Sequence, residues 1–166
     1  MGLLVARRGA IASRKAASGG GGVEVTGVDS FTAGSAASRS DQYGYRFTPT
    51  ETLSLVRLRA YVGTAAAFDA RLWRDSDGVL LVDTTIDTAA NEWSGSALFA
   101  AVELAASATY TVGIYGGGSS FQRYLNGTLT YRSAVGFSTC VYGGGSGRPG
   151  TTYGSPLGYA DIVYAG

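Results

Sequence analysis

Apolar and polar residues alternate with a period of two along most of this chain, which is how a strand with one buried face reads. In Tyr110–Tyr115, Tyr110, Val112 and Ile114 share one face. In Phe68–Trp73, Phe68, Ala70 and Leu72 point inward against Asp69, Arg71 and Trp73. Val56, Leu58, Ala60 and Val62 alternate with Arg57, Arg59 and Tyr61, while Leu53 and Leu55 are out of phase with them. That phase break predicts a bulge near Leu55–Val56. A further strand carries Leu80, Val82, Thr84 and Ile86. The pattern also predicts strands at Val23–Val28, Tyr43–Thr48, Ala97–Leu104, Phe121–Leu125, Thr128–Arg132, Val135–Val141 and Tyr159–Tyr164.

Asp75-Ser76-Asp77-Gly78 has the chemistry of a hairpin turn, and Asn126-Gly127 is the strongest short hairpin signal in the sequence. Beyond the N-terminal segment no stretch keeps a capped helical stripe. The expected fold is all-β: an antiparallel β-sandwich, jelly-roll-like, with an extended N-terminal arm. Residues 143–158, rich in Gly, Ser and Tyr without alternation, predict a long loop, with binding or subunit packing preferred to plain disorder.

Charge divides the 166 residues in two. Arg7, Arg8, Arg14 and Lys15 put four of the 13 cations, and none of the 12 acids, into residues 1–22, leaving nine cations against 12 acids in residues 23–166. Gly19–Gly22 has the composition of a linker. The expected organisation is therefore a basic anchoring arm over 1–22 and a sandwich domain over 23–166. Leu3, Leu4, Val5 and Ile11 add apolar anchors to the arm's charges. That mixture fits an acidic protein groove better than nucleic acid, so no specific nucleic-acid partner is expected.

The apolar fraction of 45% supplies a core, and a charged fraction of only 15% beside 26 glycines and 11 tyrosines fits an all-β protein living among other proteins. The arm makes a poor secretory signal, because its short apolar piece precedes the basic residues; a mitochondrial presequence is a minor alternative. Ala6 stands where a myristoylation motif needs Ser or Thr. No apolar run approaches the roughly 20 residues of a membrane span, so a soluble chain without membrane attachment is expected.

The chain has no histidine and one cysteine, Cys140. That removes Ser-His-Asp and Cys-His catalysis, the common zinc sites and any internal disulfide. Its glycine runs lack the Lys-Ser/Thr of a phosphate-binding loop. Asp83, Asp87, Glu92 and Glu103 are candidates for a glycosidase carboxylate pair, but no motif sets a separation, and solvated surface charge is the preferred reading. Asp75 and Asp77 are read as turn residues and not as calcium ligands. No enzyme activity, cofactor or metal is expected. Tyr61, Trp73 and Tyr115 oppose the inward faces; with Tyr142 and Tyr153 they are candidate glycan or subunit contacts, and packing is preferred.

From Tyr45 to Tyr115, Phe47, Arg59 and Tyr61, Leu72 and Trp73, Gly78 with Leu80 and Leu81, Trp93, and Tyr110 with Val112 follow a common pattern. It resembles a small β-sandwich family of uncharacterised function found in phage virion and bacterial surface proteins. Glu92-Trp93 stands where that family tends to have Gly-Trp. The arm is similar in style to those of phage structural proteins. The resemblance implies a display role without catalytic residues: a virion protein of the head-decoration, collar or short tail-fibre type, docked on a capsid or tail protein as a homo-oligomer, with a trimer favoured. The alternative expectation is a carbohydrate-binding module that attaches to host-surface glycan.

Overall fold

The computed structural model describes residues 22–118, 121–125, 127–154 and 159–166. The arm residues Leu3, Leu4, Val5, Arg7, Arg8, Ile11, Arg14 and Lys15 lie outside the described residues.

The strands in chain order are β1 (Glu24–Thr26), β2 (Val28–Thr32), β3 (Ser35–Arg39), β4 (Gln42–Phe47) and β5 (Leu53–Val62). Then come β6 (Ala67–Arg74), β7 (Leu80–Asp87), β8 (Glu92–Gly95), β9 (Val102–Leu104) and β10 (Tyr110–Tyr115). The last five are β11 (Phe121–Leu125), β12 (Thr128–Tyr131), β13 (Phe137–Gly143), β14 (Thr151–Tyr153) and β15 (Tyr159–Ala165). Among the described residues the only helical turn is a 3₁₀ turn at Ser133–Val135.

Two antiparallel sheets face each other. One runs β1-β15-β5-β8, with β9 also on β5; the other runs β14-β13-β4-β10-β6-β7. β15 packs over β4 and β10, and β5 over β6 and β7. Consecutive strands pass repeatedly from one sheet to the other, as a jelly-roll-like sandwich requires. Most of the alternating residues predicted to point inward do so: Leu58, Ala60 and Val62 meet Phe68, Ala70, Leu72, Tyr110, Val112 and Ile114 in one core, while Val56 is only half-buried. The expected bulge is at Val56, which is skipped where Val163 pairs with Arg57 and Tyr164 with Leu55.

Several expectations are corrected. β11 and β12 do not form a hairpin: β11 pairs with β3 and β12 with β2, giving two short ladders that make up a two-stranded ribbon. Gly127 is required there by close approach and not by a turn. A Cβ on it would run into the Tyr159 hydroxyl and the Thr32 carbonyl. The single strand predicted over Ala97–Leu104 is instead β8 and β9, with irregular chain between them. Leu80 is exposed, because a register shift opposite Leu72–Trp73 turns it out of the alternation.

The segment 143–158 is not all loop, since β14 adds a strand to β13 at the sheet edge. Arg71 donates from Nη1 to the Ser146 carbonyl at 3.0 Å, and Arg148 Nη1 lies 3.1 Å from Asp75 Oδ1, so residues 146–148 are tied to the outer face of the sheet.

The Asp75–Gly78 turn forms as expected between β6 and β7. Gly78 takes φ +69°, and Asp77 accepts from Arg74 and from the Val79 amide.

Candidate functional site

The ribbon and the edge of the larger sheet together create a concave surface with an aromatic floor. The sheet carrying β13 and β14 continues past β4, the strand on which β15 packs, so its inner face overhangs on that side. The ribbon of β2 and β12 covers part of the overhang, because the Arg132 amide donates to the Gly27 carbonyl and Tyr131 pairs with Val28. Between the ribbon and β13–β14 remains a cleft of about 280 Å³, lined by Leu129, Tyr131, Phe137, Ser138, Thr139, Cys140, Tyr153 and Gly154.

Its rings are held firmly. Tyr131 and Phe137 stack with centroids 4.4 Å apart and planes within 3°. Tyr45 supports both, at 4.8 Å and 6.0 Å. On the opposite wall Tyr153 stands edge-on to Tyr142 at 6.2 Å, and Tyr142 stacks on Tyr43. Phe137 keeps 40% of its surface exposed and Tyr153 keeps 42%. Burial holds the Tyr131 hydroxyl well above the usual phenol range, so it remains a neutral donor across ordinary pH. Ser138 is the extra residue of a bulge: Phe137 pairs with Phe47 and Thr139 with Arg46, so Ser138 has no partner in β4. β14 reaches only residues 140–142 of β13, which leaves the Ser138–Thr139 edge facing the cleft outside the ladder.

The aromatic residues singled out from sequence are scattered. Tyr61 lies on the other sheet in a cluster with Phe31, Trp93 and Tyr159, at 4.5 Å, 5.7 Å and 6.0 Å. Trp73 is 5% exposed and lies within the structure, so it offers no ring face to a ligand. Tyr115 is half-buried at the end of β10. Of the five, only Tyr153 lines the cleft, with Tyr142 as its prop. Tyr131 and Phe137 were not legible as site residues, because each stands in an ordinary strand pattern.

The candidate carboxylates stand on three strands, β7, β8 and β9. Asp83 pairs with Arg71 at 3.0 Å, while Asp87, Glu92 and Glu103 stand opposite Ala67, Val62 and Ser54 respectively. Asp75 is occupied by Arg46, Arg148 and the Thr111 hydroxyl. Among the described residues no group of three or more metal-ligating side chains occurs.

Asp161 is the one fully buried carboxylate. It accepts from Arg59 Nε at 2.7 Å, the Val28 amide at 3.0 Å and the Tyr45 hydroxyl at 3.3 Å, linking β15 to β5, the ribbon and the opposite sheet. Burial raises its pKa above the usual carboxylate value, outweighing the pull of Arg59 and of the Val28 hydrogen bond. It is a buried joint between these elements.

No model of a known protein family matches this sequence, and no curated protein matches it either.

Proposed function

We propose that this chain is a bacteriophage virion structural protein, anchored by its N-terminal arm on a capsid or tail protein and displaying the sandwich outward. One observation carries the reading: seven of the body's nine arginines are spent on its own carboxylates. Arg46, Arg57, Arg59, Arg71, Arg74, Arg132 and Arg148 each lie within 4 Å of a carboxylate. Four further cations, Arg7, Arg8, Arg14 and Lys15, stand together in the arm beside apolar Leu3, Leu4, Val5 and Ile11. Gly22, the first described residue, lies beside Gly166 next to the edge strand β1.

Attachment is binding without turnover, strengthened by several copies gripping one particle. The resemblance to phage virion domains, the low charge and the all-β architecture agree with it. The free edge of β7, with Val79 and Leu80 exposed next to it, supports a closed homo-oligomer, and a trimer is the favoured form. The protein then resides in the virion after assembly in the host cytoplasm.

Deleting residues 2–18 is expected to leave a soluble folded module that is absent from purified particles. Incorporation at the normal level would end the proposal.

A further inference from the structure

We infer that the cleft between β12 and β13–β14 is a binding site for a neutral saccharide, with the exposed face of Phe137 as its stacking platform. The cleft's own lining selects this ligand, whether or not the arm grips a particle.

The chemistry of the lining selects the ligand. Leu129, Tyr131, Phe137 and Tyr153 give apolar and aromatic surface, Ser138 and Thr139 give hydroxyls, and among the described residues no carboxylate, guanidinium or ammonium lines the cleft. A charged ligand would lose its hydration and find no counter-ion. A purely apolar ligand would strip water from the hydroxyls of Ser138, Thr139 and Tyr153 and from the Ser138–Thr139 backbone edge without replacing those hydrogen bonds. A pyranose satisfies both requirements. Its C–H face lies against the negative face of an aromatic ring, while its equatorial hydroxyls reach the polar groups at the rim.

Geometry agrees with chemistry. Tyr131 is parallel to Phe137 at 4.4 Å and takes one face of the ring, which fixes the orientation of the other. Tyr153, braced edge-on by Tyr142, forms a second wall. A space of about 280 Å³ is slightly below the range of pockets for drug-sized ligands, which suits one sugar ring of a longer glycan. Bracing the rings before the ligand arrives also lowers the ordering cost of binding.

The test uses the full chain. A panel of neutral hexoses, N-acetylhexosamines and their oligomers is titrated by calorimetry, with aromatic proton shifts as a second readout. Phe137→Ala and Tyr153→Ala are compared with Leu98→Ala, an exposed position outside the cleft. The expected result is binding of at least one neutral glycan, weakened tenfold or more by Phe137→Ala and also by Tyr153→Ala, and unchanged by Leu98→Ala. Should Phe137→Ala fail to fold, Tyr153→Ala decides alone.

Three results would overturn the inference: no neutral glycan binding at millimolar concentration, binding indifferent to both cleft variants, or binding only of acidic glycans that disappears with added salt. Each is separable from the particle-incorporation test, which the cleft variants should pass.

Discussion

Arg59 donates from Nε to Asp161 Oδ2 across 2.7 Å, and the same guanidinium lies 4.2 Å above the Trp93 ring. One side chain thus neutralises a fully buried carboxylate on β15 while covering an aromatic on β8. Removing one partner of such a pair leaves a charge stranded, which costs about 3–5 kcal/mol. Arg59→Met should therefore destabilise the sandwich by about that much in chemical denaturation at neutral pH. Asp161→Asn should cost less, because its amide oxygen still accepts from Val28 and Tyr45.

The pH dependence of that variant follows from the direction of the Asp161 shift. A folded-state pKa above the unfolded one means the folded state holds the proton more tightly. The corresponding stability is fully present below the unfolded pKa and is lost as pH rises through the folded pKa. Without Arg59 the shift should grow. The cost of Arg59→Met should therefore shrink as pH falls from 7 toward 4, where the carboxyl is protonated. A cost independent of pH would show that Asp161 is not charged in the native protein.

Gly127 and Gly147 differ only in surroundings. A Cβ at Gly127 meets the Tyr159 hydroxyl, the Thr32 carbonyl and the Gly34 amide nitrogen, whereas one at Gly147 meets nothing within 4 Å. Gly127→Ala should cost about 1–3 kcal/mol, as overpacking does. Gly147→Ala should stay within about 0.5 kcal/mol. Thermal unfolding of the two variants side by side is sufficient.

Trp73 and Tyr153 make a second contrast. Trp73→Ala should cost about 3–5 kcal/mol, since the ring is buried. Tyr153→Ala, with 42% of its surface in solvent, should change stability by about 0.5 kcal/mol or less. Equal costs would contradict the division into packing and surface aromatics.

These contrasts show what the sequence made legible. Alternation in Phe68–Trp73 and Tyr110–Tyr115 located the core, because a period of two follows directly from the pleat. The phase break at Val56 gave the bulge for the same reason. β3 was missed because Ser-Ala-Ala-Ser-Arg carries no apolar alternation; its pairing comes from β11. Asn126-Gly127 misled because a glycine needed for close approach looks the same as a glycine needed for a turn. The cleft was hidden more deeply. Tyr131 and Phe137 face each other only because β12 joins the ribbon while β13 joins the sheet, a long-range pairing that local pattern does not encode.

The most direct test of arm anchoring is sufficiency. On the proposed function, residues 1–22 fused to an unrelated monomeric fluorescent protein and produced during infection by the proposed parent phage should copurify with particles through a density gradient, while a fusion with Arg7, Arg8, Arg14 and Lys15 changed to Ser should not. Fluorescence that stays in the soluble fraction for both fusions would contradict the account.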